Sequence, residues 1–497
     1  YNITMSENIV KSRFFYRLTE SIMPILTWLI ITFPVWFSPF HPAIVSYFIL
    51  AFLLYFLFKT IKNVYYATIS YRLVNRAERI NWLQRLQRLK NYNLIHHYIL
   101  ITNYKESSEK LEHTITHLYN QKYPSKNIHI VLAMEEREGD AARIRSKHLT
   151  EEFQNKFASI LTTYHVLTPD EIIGKASNEA HAASEITKVT RQKGIDPKNV
   201  LITVCDADSL IPPQYLSYLT YEYLKDPDRI YHFYWGPVLL YNNFWKLSIP
   251  IRVQAIMASV LRLAFLSQKD DLIQISTYST SLWLLEEVGY WDRDIIPEDW
   301  HIWLQAFFKY GEKVKTLPIY LPITGDAIMA KGWFDTFKNR YDQERRWAWG
   351  VTDIPYAIRR FFDTPHIRPM LKLKKILLIF EVHMLWPTSF FILTVSGWIP
   401  SLVNPTFKRT VMGLILPQVS SLIMTMATIL LFVILYFDYR MREKVKIKTP
   451  IIHIPLMFIQ WYLMPVISFV FSSLPALEAH TRLLLGKKLE YKVTEKI

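Results

Sequence analysis

The strongest constraint on this fold is the position of the uncharged apolar runs in the chain. Residues 21–38 and 42–58 contain no charged side chain, and a short SPFHP segment joins them. A helix needs roughly 20 apolar residues to cross the hydrocarbon core of a membrane. A signal peptide would be followed by a small-residue cleavage site rather than by a second apolar run. We therefore predict a transmembrane hairpin within residues 1–62.

Apolar stretches return near the C-terminal end, at about 376–398, 411–437 and 451–474. The first of them contains Glu381 and His383. Because charges are costly at membrane depth, this stretch is also compatible with a helix that lies partly in the membrane interface. Residues 371–497 are predicted to form a C-terminal transmembrane region followed by a basic tail.

Basic residues flank the N-terminal hairpin on both sides, whereas its tip is uncharged. Arg13 and Arg17 precede the first run, and Lys59 and Lys62 open a basic stretch after the second. Cytoplasmic loops are enriched in Lys and Arg. The chain is therefore predicted to be a multi-pass cell-membrane protein with its central domain in the cytosol.

The same rule produces a conflict near the C-terminal end. Both the loop 438–448 and the tail with Arg482, Lys487 and Lys488 are basic. A single span between them leaves only one of the two in the cytosol. Either 451–474 re-enters the membrane without crossing it, or one of the predicted spans is wrong.

Composition narrows the class of protein further. Of the 497 residues, 51% are hydrophobic and only 20% are charged, which excludes a disordered chain. The single cysteine, Cys205, excludes an intrachain disulfide and a cysteine-based zinc site. The net charge of +15 suits anionic lipid or phosphorylated ligands. Nucleic acid is not an expected partner, because many of these charges flank the apolar runs.

Residues 63–370 have the pattern of a water-soluble α/β domain. Short apolar runs alternate with helical patterns, and the runs are 97–102, 128–133, 160–166 and 200–205. This alternation predicts a parallel sheet with helices on both faces. Two basic segments with aromatic residues, 80–91 and 333–349, are compatible with helices in the membrane interface or with helices docked on the domain.

An acidic pair follows the last of these runs, as Asp206-Ala207-Asp208. In an extended chain, residues two apart point to the same side. Two carboxylates at a strand end repel each other unless a cation or hydrogen-bond donors compensate. Mg²⁺ or Mn²⁺ is a natural compensator that also takes phosphate oxygens. The pair alone is also typical of a solvated turn.

A second acidic group is Pro297-Glu298-Asp299-Trp300. One of its carboxylates would serve as a general base if it lay within reach of the proton that it removes. Taken alone, the group is equally typical of a helix N-terminus, where acidic residues are favoured by the helix dipole.

Two further segments have the chemistry of phosphate and sugar binding. Gln343-Glu344-Arg345-Arg346-Trp347 combines planar guanidinium forks with a flat aromatic face. Gly174-Lys175-Ala176-Ser177-Asn178 opens a helix, and a lysine there is favoured by a nearby anionic ligand. The alternatives are a membrane-surface helix for the first and a solvated lysine for the second.

Taken in order, GKASN, DAD, PED and QERRW resemble the membrane-embedded family 2 glycosyltransferases, which include the cellulose and hyaluronan synthases. The resemblance implies a GT-A domain, a Rossmann-like nucleotide-diphospho-sugar transferase fold, inserted between transmembrane helices. It also implies an inverting, metal-dependent transfer of a sugar from a nucleotide-sugar donor, with a UDP-sugar as the first expectation.

The resemblance also implies roles for individual residues. Asp206 would face the nucleotide, and Asp208 would bind the Mg²⁺ or Mn²⁺ that bridges its diphosphate. Asp299, together with Glu298, would form the catalytic acid group, with Asp299 as the base. The other implied roles are donor support by Lys175 and Asn178, and binding of the diphosphate and acceptor by Gln343, Arg346 and Trp347.

Two stretches depart from the family pattern. Where the family has an Asp-rich turn, this chain has AMEEREGD, so Glu135, Glu136 or Asp140 is expected to contact the nucleotide. Where cellulose synthases have an acceptor segment with Gly and Cys, hydroxyl side chains run from Ser276 to Ser281. A cellulose or hyaluronan product is therefore not implied.

The leading hypothesis is a processive synthase that extends a polysaccharide at the membrane, because QERRW goes with processive members of the family. The alternative enzyme adds one or a few sugars to a lipid-linked or membrane acceptor. A transporter or an inactive homologue that acts as a scaffold remains as a different class. A saccharide or lipid-linked acceptor, the lipid bilayer and secretion partner subunits are the expected partners.

Overall fold

A mixed β-sheet forms the centre of the α/β part of the protein. The computed structural model describes residues 12–445 and 450–489. Its strands are β1 (His96–Thr102), β2 (Ile128–Glu135), β3 (Ser159–His165), β4 (Val200–Asp206), β5 (Phe233–Trp235), β6 (Val238–Leu239), β7 (Tyr278–Ser281), β8 (Thr316–Pro318) and β9 (Ile323–Thr324). The main sheet has the order β3-β2-β1-β4-β7-β5-β8, and β6 pairs with β9 in a small second sheet.

Helices lie around the sheet, and most of the long apolar helices come from the N-terminal and C-terminal parts of the chain. They are α1 (Arg13–Phe37), α2 (Pro42–Glu78), α3 (Trp82–Leu86), α4 (Ser108–Tyr119), α5 (Asp140–Phe153), α6 (Lys175–Gln192), α7 (Tyr215–Lys225), α8 (Ile249–Leu266), α9 (Leu282–Val288), α10 (Glu298–Tyr310), α11 (Trp333–Ala348), α12 (Asp353–Asp363), α13 (Pro369–Phe390), α14 (Ile399–Val403), α15 (Val411–Lys444), α16 (Ile454–Ile459), α17 (Met464–Ser468) and α18 (Leu474–Leu484). Two π-helical turns, Phe391–Val395 and Phe469–Ser473, interrupt the C-terminal helices.

The first four strands confirm the predicted α/β fold. β1 to β4 pair with one another in parallel, and β2 is buried along its whole length. Such burial on both faces explains the continuous apolar runs of these strands. β7 lies antiparallel to both β4 and β5, which the sequence pattern did not predict. The sheet is therefore mostly parallel rather than wholly parallel.

Six helical segments of the described residues are long and apolar enough to cross a membrane. They are Phe14–Phe37, Pro42–Glu78, Ile249–Leu266, Pro369–Val403, Val411–Lys444 and Ile454–Leu484. Five of them overlap the apolar stretches predicted from the sequence. Ile249–Leu266, which is α8, was not predicted, because it lies within the supposed soluble domain and carries Arg252 and Arg262.

The helix α2 continues from the apolar hairpin into the α/β part without a break. It passes the predicted domain boundary at residues 62–63 and ends at Glu78. Near its end, the hydroxyl groups of Ser70 and Ser267 are 2.6 Å apart, which ties α2 to the residue that follows α8. The α/β part is therefore packed directly against the extension of an apolar helix.

The last apolar segment begins and ends on the side of the α/β part. Near its start, the ring of His453 stacks on Trp245 at 5.0 Å. In its middle, Phe469 packs against Phe390 at the end of α13. Near its end, Glu478 pairs with Arg345 on α11 at 2.7 Å. Both ends of this segment therefore contact the α/β part of the protein.

The two basic aromatic segments differ in their surroundings. Residues 80–91 contain only the short helix α3, and Trp82 is buried and stacks on Tyr218 with ring centroids 3.7 Å apart. This packing favours the docking alternative for α3. In the second segment, Trp333 and Phe334 are exposed at the start of α11, whereas Gln343 and Ala348 near its end are buried.

Candidate active site

The acidic pair lies at the carboxyl end of the central strand. Asp206 is the last residue of β4, opposite Thr102 at the end of β1. Residues 200–205 of β4 are buried, so the first position that meets the edge of the sheet is Asp206. Ligands of open α/β sheets bind at this edge. β4 therefore places the start of the DAD motif at the edge of the sheet where a ligand is expected.

Lys175 lies among three carboxylates rather than in solvent. Its Nζ is 2.8 Å from Asp206, 3.2 Å from Glu298 and 3.4 Å from Glu179. Burial lowers the pKa of Lys175, but the charges of Asp206, Glu179 and Glu298 outweigh burial and hold the pKa well above its usual value. Its neighbours are therefore protein carboxylates, and the lysine joins GKASN, DAD and PED at one point.

Asn178 has a structural contact in the same region. Its side-chain amide donates a hydrogen bond of 2.9 Å to the carbonyl oxygen of Ala133 in β2. The side chain is buried, and its Oδ1 has no hydrogen-bond partner within the described residues. The role of Asn178 in donor support stays a prediction, and its observed contact joins α6 to β2.

The carboxylates of the AMEEREGD turn are engaged by arginines. Glu135 ends β2 and is paired with Arg137, whose guanidinium lies 3.9 Å from the centre of the Tyr104 ring. Glu136 is paired in turn with Arg143. Asp140 begins α5 and is exposed. The structure therefore leaves open which of these three acidic residues contacts the nucleotide.

Glu138 in this turn was missed by the sequence analysis. Two of its oxygens accept hydrogen bonds of 2.8 and 2.7 Å from Arg145. Burial raises the pKa of Glu138, but hydrogen bonds from Arg145 and from the Lys105 backbone N–H outweigh burial and lower it. No local sequence pattern marks the buried pair of Arg145 and Glu138, so the pair is identified only from the fold.

Asp299 is held in place by two backbone donors. Its Oδ2 accepts the N–H of Ser276 at 3.0 Å, and its Oδ1 accepts the N–H of Trp300 at 2.9 Å. Burial, followed by the charge of Glu298, raises the pKa of Asp299 to about 7. A carboxyl group with a pKa near the working pH is well suited to accept a proton.

Ser276 connects the two acidic groups. Its hydroxyl donates to Asp206 Oδ2, while its backbone N–H donates to Asp299. Its φ is +67°, a left-handed conformation that is uncommon for residues other than glycine. Strained backbone of this kind occurs at functional sites when the surrounding contacts enforce it. The first hydroxyl of the altered acceptor segment thus lies inside the site.

Asp208 is next to a second carboxylate residue that the sequence analysis missed. The backbone N–H of Asp326 donates to Asp208 Oδ2 at 2.9 Å, and the Asp326 carboxylate is 3.1 Å from Lys110 Nζ. Oxygen donors from aspartates are the ligands that Mg²⁺ and Mn²⁺ prefer. The residues at this position therefore fit a hard divalent cation.

A separate group of ligating side chains lies outside the site. Among the described residues, Glu112, His148 and Glu152 approach one another closely enough to hold an ion. They lie on α4 and α5, and His148 is 2.9 Å from Glu112. Since exposed groups of this kind are common without a metal, it does not bear on the chemistry at β4.

The QERRW segment lies on the second half of α11. Gln343 accepts a hydrogen bond of 2.6 Å from Arg340, and the same guanidinium lies 5.0 Å from the centre of the Trp347 ring. Arg340 also pairs with Glu344, where burial raises the pKa of the Glu344 carboxyl. Arg340, three residues before the motif, was therefore missed although it organises the motif's side chains.

The end of α11 reaches the second acidic group. A Cβ placed on Gly350 would lie 3.4 Å from His383 Nε2 and 3.9 Å from Cβ of Pro297. The backbone that follows the QERRW helix therefore passes close to Pro297, the residue directly before Glu298. His383, which the sequence placed in the first C-terminal stretch, also faces this junction.

Arg262, a buried arginine of α8, interacts with charged residues from more than one motif. Arg262 donates a hydrogen bond of 2.8 Å to the carbonyl oxygen of Val238. Its charge interacts with Asp206, Asp208 and Asp299 and with Arg340. Arg262 was missed because nothing in its local sequence distinguishes it from other arginines of an apolar helix.

The comparisons with known proteins agree with the motif order. Residues 201–439 match the family described as Glycosyl transferase family group 2. This range contains DAD, PED and QERRW together with three of the six apolar helical segments in whole or in part. No curated protein matches the chain.

Two solved structures illustrate what the fold is similar to. The mannosyltransferase PcManGT from Pyrobaculum calidifontis, in complex with GDP-Man and Mn2+, is 14% identical, with coverage of 78% of this chain and 96% of that chain and a TM-score of 0.41. TarS 1-349 from S. aureus, in complex with UDP-GlcNAc, is 10% identical, with coverage of 81% and 95% and a TM-score of 0.35. At these TM-scores, neither likeness carries an argument.

GKASN, DAD and PED meet at the carboxyl end of a mostly parallel sheet, and the family match covers DAD, PED and QERRW. Residues 201–439 of the chain are thus a region similar to the family 2 glycosyltransferases, in an α/β domain set among helices that are long and apolar enough to span a membrane.

Proposed function

We propose that the protein transfers a sugar from a nucleotide-sugar donor to an acceptor hydroxyl, with inversion at the anomeric carbon. The observation that carries this proposal is the half-buried Asp299 carboxyl, which Ser276 links to Asp206 and which has a pKa raised to about 7. In its ionised form it would take the proton of the acceptor hydroxyl as the oxygen attacks the sugar. Glu298 raises the basicity of Asp299 through its charge.

The donor is proposed to lie along the carboxyl edge of β4. Asp206 and Lys175 would face the nucleotide and its diphosphate, with Asn178 and Glu135 as supporting residues. Asp208, next to Asp326, would hold Mg²⁺ or Mn²⁺, which offsets the negative charge of the leaving diphosphate when it is bound. A UDP-sugar is the proposed donor.

The acceptor is proposed to approach from the end of α11. Arg346 would bind the diphosphate, and Gln343 and Trp347 would shape the acceptor entrance. Support comes from Gly350, two residues after the end of α11, which lies close to Pro297 and so brings the end of the QERRW helix near the proposed base. A processive synthase in the cell membrane, with the domain in the cytosol, is the proposed form of the enzyme.

The test uses the full-length protein in liposomes with Mg²⁺ or Mn²⁺ and a panel of nucleotide sugars. Release of nucleoside diphosphate from one donor is expected, and D299N should abolish it. D294N, which removes a nearby exposed carboxylate, serves as the matched control and should behave as wild type. Equal release by wild type and D299N would contradict the proposed base.

Product size then separates the two forms of the enzyme. A high polymer or a ladder on a gel would support the processive synthase. A single addition to a lipid-linked acceptor would replace it with the non-processive alternative. Donor binding by wild-type protein without release with any acceptor would support the inactive scaffold.

A further inference from the structure

A cavity lined by arginines lies where α2, α3 and α15 meet. Its volume is about 750 Å³. We call it the arginine pocket, and its lining includes Tyr71, Arg72, Arg76, Arg79, Arg85 and Arg440. None of the described residues that line it is acidic, and none belongs to the candidate active site.

The positive charges of the arginine pocket are largely unbalanced. Arg72 and Arg76 are four residues apart on one face of α2, where like charges destabilise a helix, and Arg79 directly follows the helix three residues later. Within the described parts of the chain, no ion pair involves these three arginines or Arg85. Glu78, the acidic residue nearest in sequence, is paired with Lys444 instead.

The one lining arginine with a carboxylate partner is weakly paired. Arg440 lies 3.3 Å from Glu443, and both side chains are more than two-fifths exposed. Exposed pairs of this kind contribute little. The pocket therefore presents several guanidinium groups to one space, and an anion that enters it would relieve their mutual repulsion.

Guanidinium groups match phosphate better than they match other anions. Each presents planar paired donors that bind two phosphate oxygens at once. A volume of about 750 Å³ is far larger than an inorganic phosphate needs and falls in the range of pockets that hold organic ligands. The ligand class is therefore an organic phosphate.

The position of the pocket identifies the source of that phosphate. Tyr65 on α2 and Tyr436 and Tyr439 on α15 are exposed where the apolar parts of these helices end. Tyrosines are enriched at membrane–water interfaces. Arg440 directly follows Tyr439, and Arg72 lies about 10 Å beyond Tyr65 along its helix. The pocket therefore opens beyond the apolar parts of both helices, on the side from which arginine side chains extend toward headgroups.

We propose that the arginine pocket binds the phosphate headgroup of an anionic membrane phospholipid. This inference does not depend on glycosyl transfer, because it concerns residues outside the active site. It assigns a specific binding role to part of the net charge of +15.

The test measures lipid retained by the full-length protein. Wild type and R72Q/R76Q/R79Q are purified in a neutral detergent with equal amounts of phosphatidylglycerol and phosphatidylcholine, and bound lipids are counted by native mass spectrometry. Wild type is expected to retain phosphatidylglycerol selectively. The triple variant should bind it about tenfold or more weakly, because each basic residue near a membrane surface adds to the attraction.

A second triple variant controls for the change in net charge. K126Q/K193Q/K198Q removes three exposed charges that do not line the arginine pocket, and it should retain phosphatidylglycerol like wild type. Equal loss in both variants, or no loss in R72Q/R76Q/R79Q, would overturn the proposal. So would displacement of the lipid by millimolar phosphate or pyrophosphate, which would identify a soluble phosphate as the ligand.

Discussion

The carboxyl edge of the sheet, where the donor is proposed to bind, and α11, which carries QERRW, are assembled in different ways. We call them the donor edge and the QERRW helix. At the donor edge, Asp206 and Lys175 each begin or end a regular element, and their mutual contact follows from a parallel sheet. On the QERRW helix, the side chains contact partners far away in the sequence. Arg340 meets Gln254, and Arg345 meets Glu478 at 2.7 Å.

In the first region the order of the strands positions the side chains, whereas in the second region tertiary packing positions them. The donor edge depends on strand order, whereas the QERRW helix depends on its docking against α8 and α18. Asp299 belongs to neither region alone, since Ser276 ties it to Asp206 and the preceding Pro297 lies near Gly350, just after α11. Variants that disturb one region and spare the other test this division.

The largest effect is expected for D299N. Removal of a general base slows transfer by about a thousandfold, whereas the donor edge stays intact. Nucleotide-sugar binding, measured by calorimetry, should therefore change less than about threefold, because the asparagine keeps the shape and loses the proton acceptor. Loss of donor binding in D299N would place Asp299 in the donor region instead.

K175M is expected to damage the donor edge itself. Without the lysine, Asp206, Glu179 and Glu298 face one another uncompensated, and loss of one partner from a buried pair costs about 3 kcal/mol or more. The variant should unfold at a clearly lower temperature in detergent. K188M, which breaks an exposed pair with Glu185, should unfold like wild type.

D208N tests whether the donor edge holds the metal. Loss of one carboxylate oxygen should lower transfer by about a hundredfold or more and weaken metal-dependent donor binding. Binding of the nucleotide measured in chelator should not change. Wild-type activity in D208N would remove the metal from this position.

The pH dependence of transfer tests the link between the two regions. Because Asp299 acts as a base only when ionised, kcat/KM should fall below a pH of about 7. E298Q removes the neighbouring charge, so the fall should move to lower pH. An unchanged profile in E298Q would show that another group sets it.

The same pKa has a consequence for folding with a definite sign. The pKa of Asp299 is raised above its usual value of 3.8, so the folded protein holds this proton more tightly than the unfolded chain. The stability that this group contributes is present below that usual value. It is lost as the pH rises through about 7.

The smallest effect is expected for E478Q, which disturbs only the docking of the QERRW helix. The change weakens the shared acceptor of Arg345, Tyr341 and Arg482. Transfer should fall by about fivefold, which corresponds to about 1 kcal/mol, with donor binding unchanged. E152Q, on an exposed face of α5, is the matched control. A loss of donor binding in E478Q would join the two regions.

The sequence predicted the donor half of the fold better than the acceptor half. β1 to β4 are long buried strands with continuous apolar runs, so their positions were predicted within one or two residues. β5 to β9 have at most four residues each, too few for a periodic pattern. Pairing with neighbours, rather than local preference, keeps them extended.

The site shows the same limit. Asp206, Lys175 and Asp299 were identified because their motifs are contiguous in the sequence. Asp326 and Arg262 were not identified, because each belongs to a segment that contains no recognisable sequence motif. The helix α8 was missed for a related reason, since its two arginines are buried against other elements instead of marking a soluble surface.

The unbroken helix α2 sets the working height of the enzyme. Its 37 residues span about 55 Å, whereas the hydrocarbon core of a membrane is about 30 Å thick. A flexible tether would let a domain sample many heights, but a continuous helix packed along its extension acts as a rigid strut. The carboxylates of the candidate site are thereby kept at one distance from the bilayer, and the proposed acceptor would have to reach that level.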